Sequence, residues 1–94
     1  ANGIFVNGSE WFTIDRNAVL NADGNGITVN NSDNFLISRS LVNGTTYHGI
    51  SVDPSSNFVI SDNTVLNAGL NGIDVLDGDT FALLDNEVIS AGQH

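Results

Sequence analysis

Few side chains in this 94-residue chain could do chemistry, and most of them are carboxylates. Asp53 and Asp74 are a candidate pair. On adjacent strands, offset by two residues, they would stand roughly 8 Å apart. That separation suits the acid and base of an inverting glycosidase, but a pair alone is no active site without a formed cleft. The plainer reading is two solvated aspartates near turns. His48 lies upstream of Asp53, in a position otherwise held by Asn25 and Asn71, and reads as a polar turn residue. Asp74, Asp77 and Asp79 surround Gly78 in an acidic turn of the kind that offers Ca²⁺ hard oxygens. Their spacing is neither that of an EF-hand loop nor that of the nonapeptide Ca²⁺ repeat, so a solvated turn competes with a metal site. Trp11 and Tyr47 could each serve as a flat platform for a sugar ring. Trp11 shares its position only with Asn34, Asn57 and Thr80, and so has no aromatic companion there. No constellation of nucleophile, base and orienting group emerges, and the expectation is a non-enzyme that needs no cofactor, with Ca²⁺ as the one conceivable ion.

The elements that position these residues follow from a repeat. Gly-Ile recurs at Gly3-Ile4, Gly26-Ile27, Gly49-Ile50 and Gly72-Ile73, each step being 23 residues. Phe12, Phe35, Phe58 and Phe81 keep that step, as do Val6, Val29, Val52 and Val75. Val19, Val42, Val65 and Val88 form another column, and Ile14, Ile37, Ile60 and Leu83 a further one. Within one copy the apolar residues stand two apart, which is strand periodicity. Asn-Gly-Ser, Asp-Arg-Asn and Ala-Asp-Gly-Asn separate the strands and are turn chemistry. Three short strands and three turns leave no room for a helix. Equivalent side chains should stack at the inter-strand spacing of about 4.8 Å. The predicted fold is all-β: a parallel β-helix of about four rungs, spanning residues 1–94 as a single domain. Asn17, Ser40, Asn63 and Asn86 should form an amide ladder along one turn.

The recurring residues, for instance Asn25, Gly26, Ile27, Val29, Ser32, Asn34, Phe35, Ile37 and Val42, resemble the right-handed parallel β-helix repeats of carbohydrate-active proteins. Mannuronan epimerase modules, polysaccharide lyases and NosD-like proteins are among these. The resemblance covers the whole chain and implies a right-handed coil. It also implies that sugar chains bind on the outer face carrying Phe5, Thr28, Ser51 and Asp74 beside Asn7, Asn30, Asp53 and Leu76. The epimerase motif continues Asp-Pro with His, whereas Ser55 follows Asp53-Pro54 here and the chain holds no Lys. The resemblance therefore implies a fold and withholds an activity, since a fold hosts many functions.

Charge narrows the partners. Eleven Asp and Glu against two Arg give a net charge of -9, which repels nucleic acid and anionic membranes. It also repels acidic polysaccharides unless cations bridge the two. The absence of Cys excludes disulfides and thiolate metal sites, and no apolar run is long enough to span a membrane. Asn7-Gly8-Ser9, Asn30-Asn31-Ser32 and Asn43-Gly44-Thr45 match the glycosylation acceptor pattern, as accident alone would produce among fourteen asparagines.

The ends carry the remaining expectation. No capping segment is evident before Ile4 or after Val88, and an uncapped solenoid exposes core and strand edges. Reading the last residues into the first continues the repeat, with 25 residues between successive Gly-Ile pairs. Both arginines lie in the first two rungs, while the last holds carboxylates only. Stacked copies would bring Asp85 beside the next copy's Arg16, a head-to-tail contact that propagates when it does not close. Leu36 and Val59, and likewise Leu20, Leu66 and Ile89, form outward apolar stripes suited to lateral contact. The leading expectation is a secreted structural subunit that stacks on itself into a fibre. A segment of a carbohydrate-active enzyme or adhesin is the first rival. A glycan-binding module using Trp11 or Tyr47, with Asp53 and Asp74, is the second.

Overall fold

The computed structural model describes residues 3–89 and residue 92, and every element in it is a strand. The first rung is β1 (Ile4–Asn7), β2 (Glu10–Asp15) and β3 (Ala18–Leu20). The second is β4 (Ile27–Asn30), β5 (Asp33–Ser38) and β6 (Leu41–Thr45). The third is β7 (Ile50–Asp53), β8 (Ser56–Ser61) and β9 (Thr64–Ala68), and the fourth is β10 (Ile73–Val75), β11 (Asp79–Leu84) and β12 (Glu87–Ile89). Each strand pairs in parallel with its equivalent one rung away, giving three four-stranded sheets ordered β1-β4-β7-β10, β2-β5-β8-β11 and β3-β6-β9-β12. The register keeps the 23-residue step, as in Ile27↔Ile50, Phe35↔Phe58 and Val42↔Val65.

That register stacks like on like. Ile27, Val29, Ile37, Val42 and their equivalents one rung on are wholly buried. The four phenylalanine rings lie nearly parallel, their centroids 4.9, 4.8 and 5.1 Å apart along the column. The expected amide ladder is present. Asn63 Oδ1 accepts the N–H of Ser40 at 2.9 Å, and Asn86 Oδ1 accepts the N–H of Asn63 at 3.1 Å. Asn63 Nδ2 donates to the carbonyl of Ile37 at 3.0 Å, so its buried amide is satisfied on both sides. A serine ladder, not foreseen, does the same at another turn: Ser32 Oγ accepts the N–H of Ser9, and Ser55 Oγ that of Ser32, both at 3.1 Å.

The turns are made by left-handed residues in register. Arg16, Arg39, Asp62 and Asp85 all have φ between 48° and 58°. So do Asn21 and Asn67, at 57° and 55°, beside Gly44 at 80°. A further column, Trp11, Asn34, Asn57 and Thr80, has φ of 53° to 58° and lies inside the second sheet. There the pairing passes from Glu10↔Asp33 directly to Phe12↔Phe35. All four strands bend together at this column without losing register, and the simple inward-outward alternation is interrupted there.

Candidate functional site

The bend borders two shallow surface depressions. On β2, Phe12 and Ile14 point into the core, so Thr13 and its partners Leu36, Val59 and Ala82 face outward. The left-handed column then raises a margin of Trp11, Asn34, Asn57 and Thr80 beside this strip. Between them lie a depression of about 430 Å³ that takes in Trp11, Thr13, Leu36 and Asn57, and one of about 440 Å³ that takes in Asn57, Val59, Thr80 and Ala82. They share Asn57 and form one shallow groove running across the strands, along the solenoid axis. Leu36 and Val59, expected as a lateral stripe, are half-buried in its floor. Trp11 stands at one end, 79% exposed. Asparagine tolerates left-handed φ, whereas a bulky or β-branched residue there is a strained outlier.

The outer face of the first sheet, where the family resemblance implies binding, is closed over its two inner rungs, while Phe5 and Leu76 on the end rungs are exposed. Thr28 and Ser51 point away from the core yet are only 6% and 9% exposed. Amides of the adjoining turn reach over this face. Asn25 Nδ2 donates to Thr28 Oγ1 at 3.1 Å, and Asn71 Nδ2 to Asp74 Oδ1 at 2.8 Å. Asp74 is thereby tied into the wall and not displayed with Asp53 as a free pair. His48 is part of the same wall. Its Nδ1 accepts the N–H of Asn71 at 3.2 Å, as Asn25 Oδ1 accepts the N–H of His48 at 2.9 Å. A histidine thus performs the asparagine's ladder role through Nδ1, with its Nε2 facing Asp74 Oδ2 at 3.7 Å. His48→Asn should leave stability nearly unchanged in urea unfolding, while His48→Leu should cost about 1–3 kcal/mol by orphaning that N–H. Equal stability of the two variants would mean that the N–H needs no side-chain acceptor. Tyr47 is exposed at the turn before β7 and is absent from the groove lining.

With this geometry in place, the comparison with known families is decisive for the fold. The sequence model described as a right handed beta helix region matches residues 2–94. The chain belongs to the right-handed β-helix family. No curated protein and no solved structure matches it. The β-helix assignment fixes handedness and architecture, and leaves activity to the residues themselves.

Among the described residues, the arginines of the β-helix form no ion pair with Asp62 or Asp85 of their own column. Arg39 reaches diagonally to Asp15, Nε donating to Oδ1 at 3.0 Å and Nη2 to Oδ2 at 2.9 Å. Arg16 Nε also lies nearest Asp15, at 3.8 Å. Both arginines sit in left-handed turns, and both guanidinium groups lie toward the carboxylate at the end of β2. Hydrogen bonds from Arg39 and then Ser38 hold the Asp15 carboxyl below its ordinary 3.8. Because the folded value is the lower one, this contribution to stability is present above the ordinary value and is lost as pH falls through the folded one. Arg39→Gln should move the Asp15 midpoint back up toward 3.8, as read by carboxyl carbon NMR. An unchanged midpoint would assign the effect to Ser38.

The remaining expected residues are dispersed. Asp77 takes a left-handed turn conformation, Asp79 opens β11, and Asp74 is engaged by Asn71 and His48. Among the described residues, no three His, Cys, Asp or Glu gather as a metal-binding group. Leu20 and Ile89 are exposed on the third sheet, but the Asn43 between Leu20 and Leu66 donates its column to polar contact, its Oδ1 accepting from Asn67 Nδ2 at 3.0 Å. Ile4 packs partly against the core at one end of the β-helix, and Val88 is exposed at the other. Both sides of the groove, the Trp11 position and the Leu36 and Val59 stripe, are visible in the sequence, but not that a left-handed conformation at the first sets them beside each other around a depression. The recurring Asn34 and Asn57, residues that tolerate that conformation, are the sequence signal for it.

Proposed function

We propose that this β-helix is a secreted binding module that holds an extended polysaccharide chain in the groove of its second sheet, without reacting on it. One observation carries the reading: a tryptophan occupies a strained left-handed position and yet leaves most of its surface in water. Backbone strain retained without a packing return is a pointer to function. An indole face stacks on the C–H face of a pyranose ring, while Asn34, Asn57 and Thr80 offer amide and hydroxyl groups to its hydroxyls. The apolar floor of Leu36 and Val59 suits the same mixed surface. Affinity gel electrophoresis across a panel of soluble polysaccharides tests this. Trp11→Ala should weaken retention about 10- to 100-fold, the loss expected for an aromatic anchor. Retention unchanged by that substitution, or absent for every polysaccharide, would remove the reading.

A second reading, head-to-tail stacking into an extracellular fibre, is supported by the exposed core columns Phe81, Leu83 and Val88 along the free edges of β11 and β12. A further rung with the same registry would cover them, from a second copy or from additional chain. The Arg39–Asp15 geometry alters the junction this reading implies. By the same offset, the next copy's Arg16 would reach toward Leu84, the column-mate of Asp15, and only its backbone position would stack on Asp85. Sedimentation velocity at rising concentration decides it, a constant monomer being incompatible with the fibre.

A further inference from the structure

We infer that the ligand of this groove is an uncharged polysaccharide chain lying along the solenoid axis, and not a polyuronate. The inference rests on the binding reading above and specifies its ligand. The groove presents amides, hydroxyls, aromatic rings and aliphatic carbons, and among the described residues no charged side chain lines it. Its margins carry the wrong sign for an acidic chain. Glu10, Asp33 and Asp79 immediately precede the left-handed column, in register with one another through Ser56. On the far side the strand ends at Asp15, whose two oxygens occupy the Arg39 guanidinium bidentately. The protein has two Arg and no Lys, and both arginines turn toward this one carboxylate. A uronate carboxylate would therefore lose water beside fixed negative charge with no cation to receive it, which is costly.

Orientation follows from the repeat. Successive rungs stand about 4.8 Å apart. A chain laid along the axis meets one residue of the Trp11-Asn34-Asn57-Thr80 margin at each rung, and one residue of the floor opposite. A chain laid along a strand would leave the groove after a single rung. Neutral ligands also escape the long-range repulsion of a -9 protein.

The test uses the intact chain in affinity gel electrophoresis and titration calorimetry. A soluble galactomannan, a xylan and hydroxyethyl cellulose are compared with polygalacturonate and alginate, each with chelator and with added Ca²⁺. Retention by at least one neutral chain is expected, unchanged by chelator or by raised salt, and reduced tenfold or more by Trp11→Ala. Polyuronates should give no retention in wild type, and Glu10→Lys should create some. Polyuronate retention with no neutral binding, and lost in Trp11→Ala, would overturn the ligand class while leaving the groove in place; Ca²⁺ dependence of that retention would identify cation bridging. Failure of all polysaccharides would overturn the underlying reading as well. Self-association removed by Leu36→Asp, without glycan binding, would make the groove an interface between copies and would overturn both.

Discussion

Phe58→Ala is expected to lower the thermal midpoint by roughly 12–40 °C, a loss of about 3–5 kcal/mol at about 4–8 °C per kcal/mol for a domain of this size. Phe58 is 2% exposed and touches a ring on each side, at 4.8 and 5.1 Å between centroids. Its removal leaves a cavity that the neighbouring rungs cannot close, because the backbone ladder on either side fixes their spacing. A domain of this length is held by only about 5–14 kcal/mol, so the variant sits near the edge of folding. Phe81→Ala is the comparison. That ring is 44% exposed and stacks on one side only, so its deletion should cost less than half as much. In a solenoid each rung is stabilised by nearest neighbours, and the two variants count those neighbours directly. Equal shifts in a calorimetric scan would mean that the rings do not stabilise one another through the stack.

The phenylalanine column also shows what was legible beforehand. Equivalent residues at a constant step must stack if the chain coils, so four identical rings at 12, 35, 58 and 81 fix both register and core. The Gly-Ile column was equally visible, but its reason was not. At Gly49 a Cβ would strike Val65 Cγ1 and come within 2.6 Å of the Gly72 carbonyl oxygen, so the glycine marks a close approach of one wall to the next rung. Periodicity reports that a position repeats, and not whether it repeats for packing, for backbone conformation or for a ligand. The Arg16-Arg39-Asp62-Asp85 column illustrates this. Two arginines followed by two aspartates would suit an ion ladder, whereas what its members share is a left-handed turn, and the bidentate ion pair runs to Asp15 outside the column. Thr28 and Ser51 misled in the opposite sense. Strand alternation correctly put them outside the core, but only the neighbouring turn amides determine that water does not reach them.

Trp11→Asn is expected to separate stability from binding. Asparagine is what the second and third rungs carry at this position, where φ is 58° and 56°, and it relieves a conformation that costs a bulky residue about 1–3 kcal/mol. Little packing is lost in exchange, since the indole is mostly in water. The variant should therefore unfold at a higher temperature, by about 4–8 °C for each kcal/mol recovered. It should also lose polysaccharide retention as fully as Trp11→Ala does, because the platform is gone in both. Thr80→Asn makes the comparison. It relieves a β-branched residue from the same conformation, at φ 53°, and should stabilise as well. Its amide replaces one hydroxyl contact at the margin and the tryptophan stays, so retention should fall far less than in Trp11→Asn. The pair distinguishes two reasons for a tryptophan in a strained turn. If the indole were a structural plug, Trp11→Asn would destabilise the fold along with any change in binding. If it is held there to meet a ligand, the strained residue lowers stability in the free protein, and its replacement by the column's own asparagine makes a firmer solenoid that no longer binds.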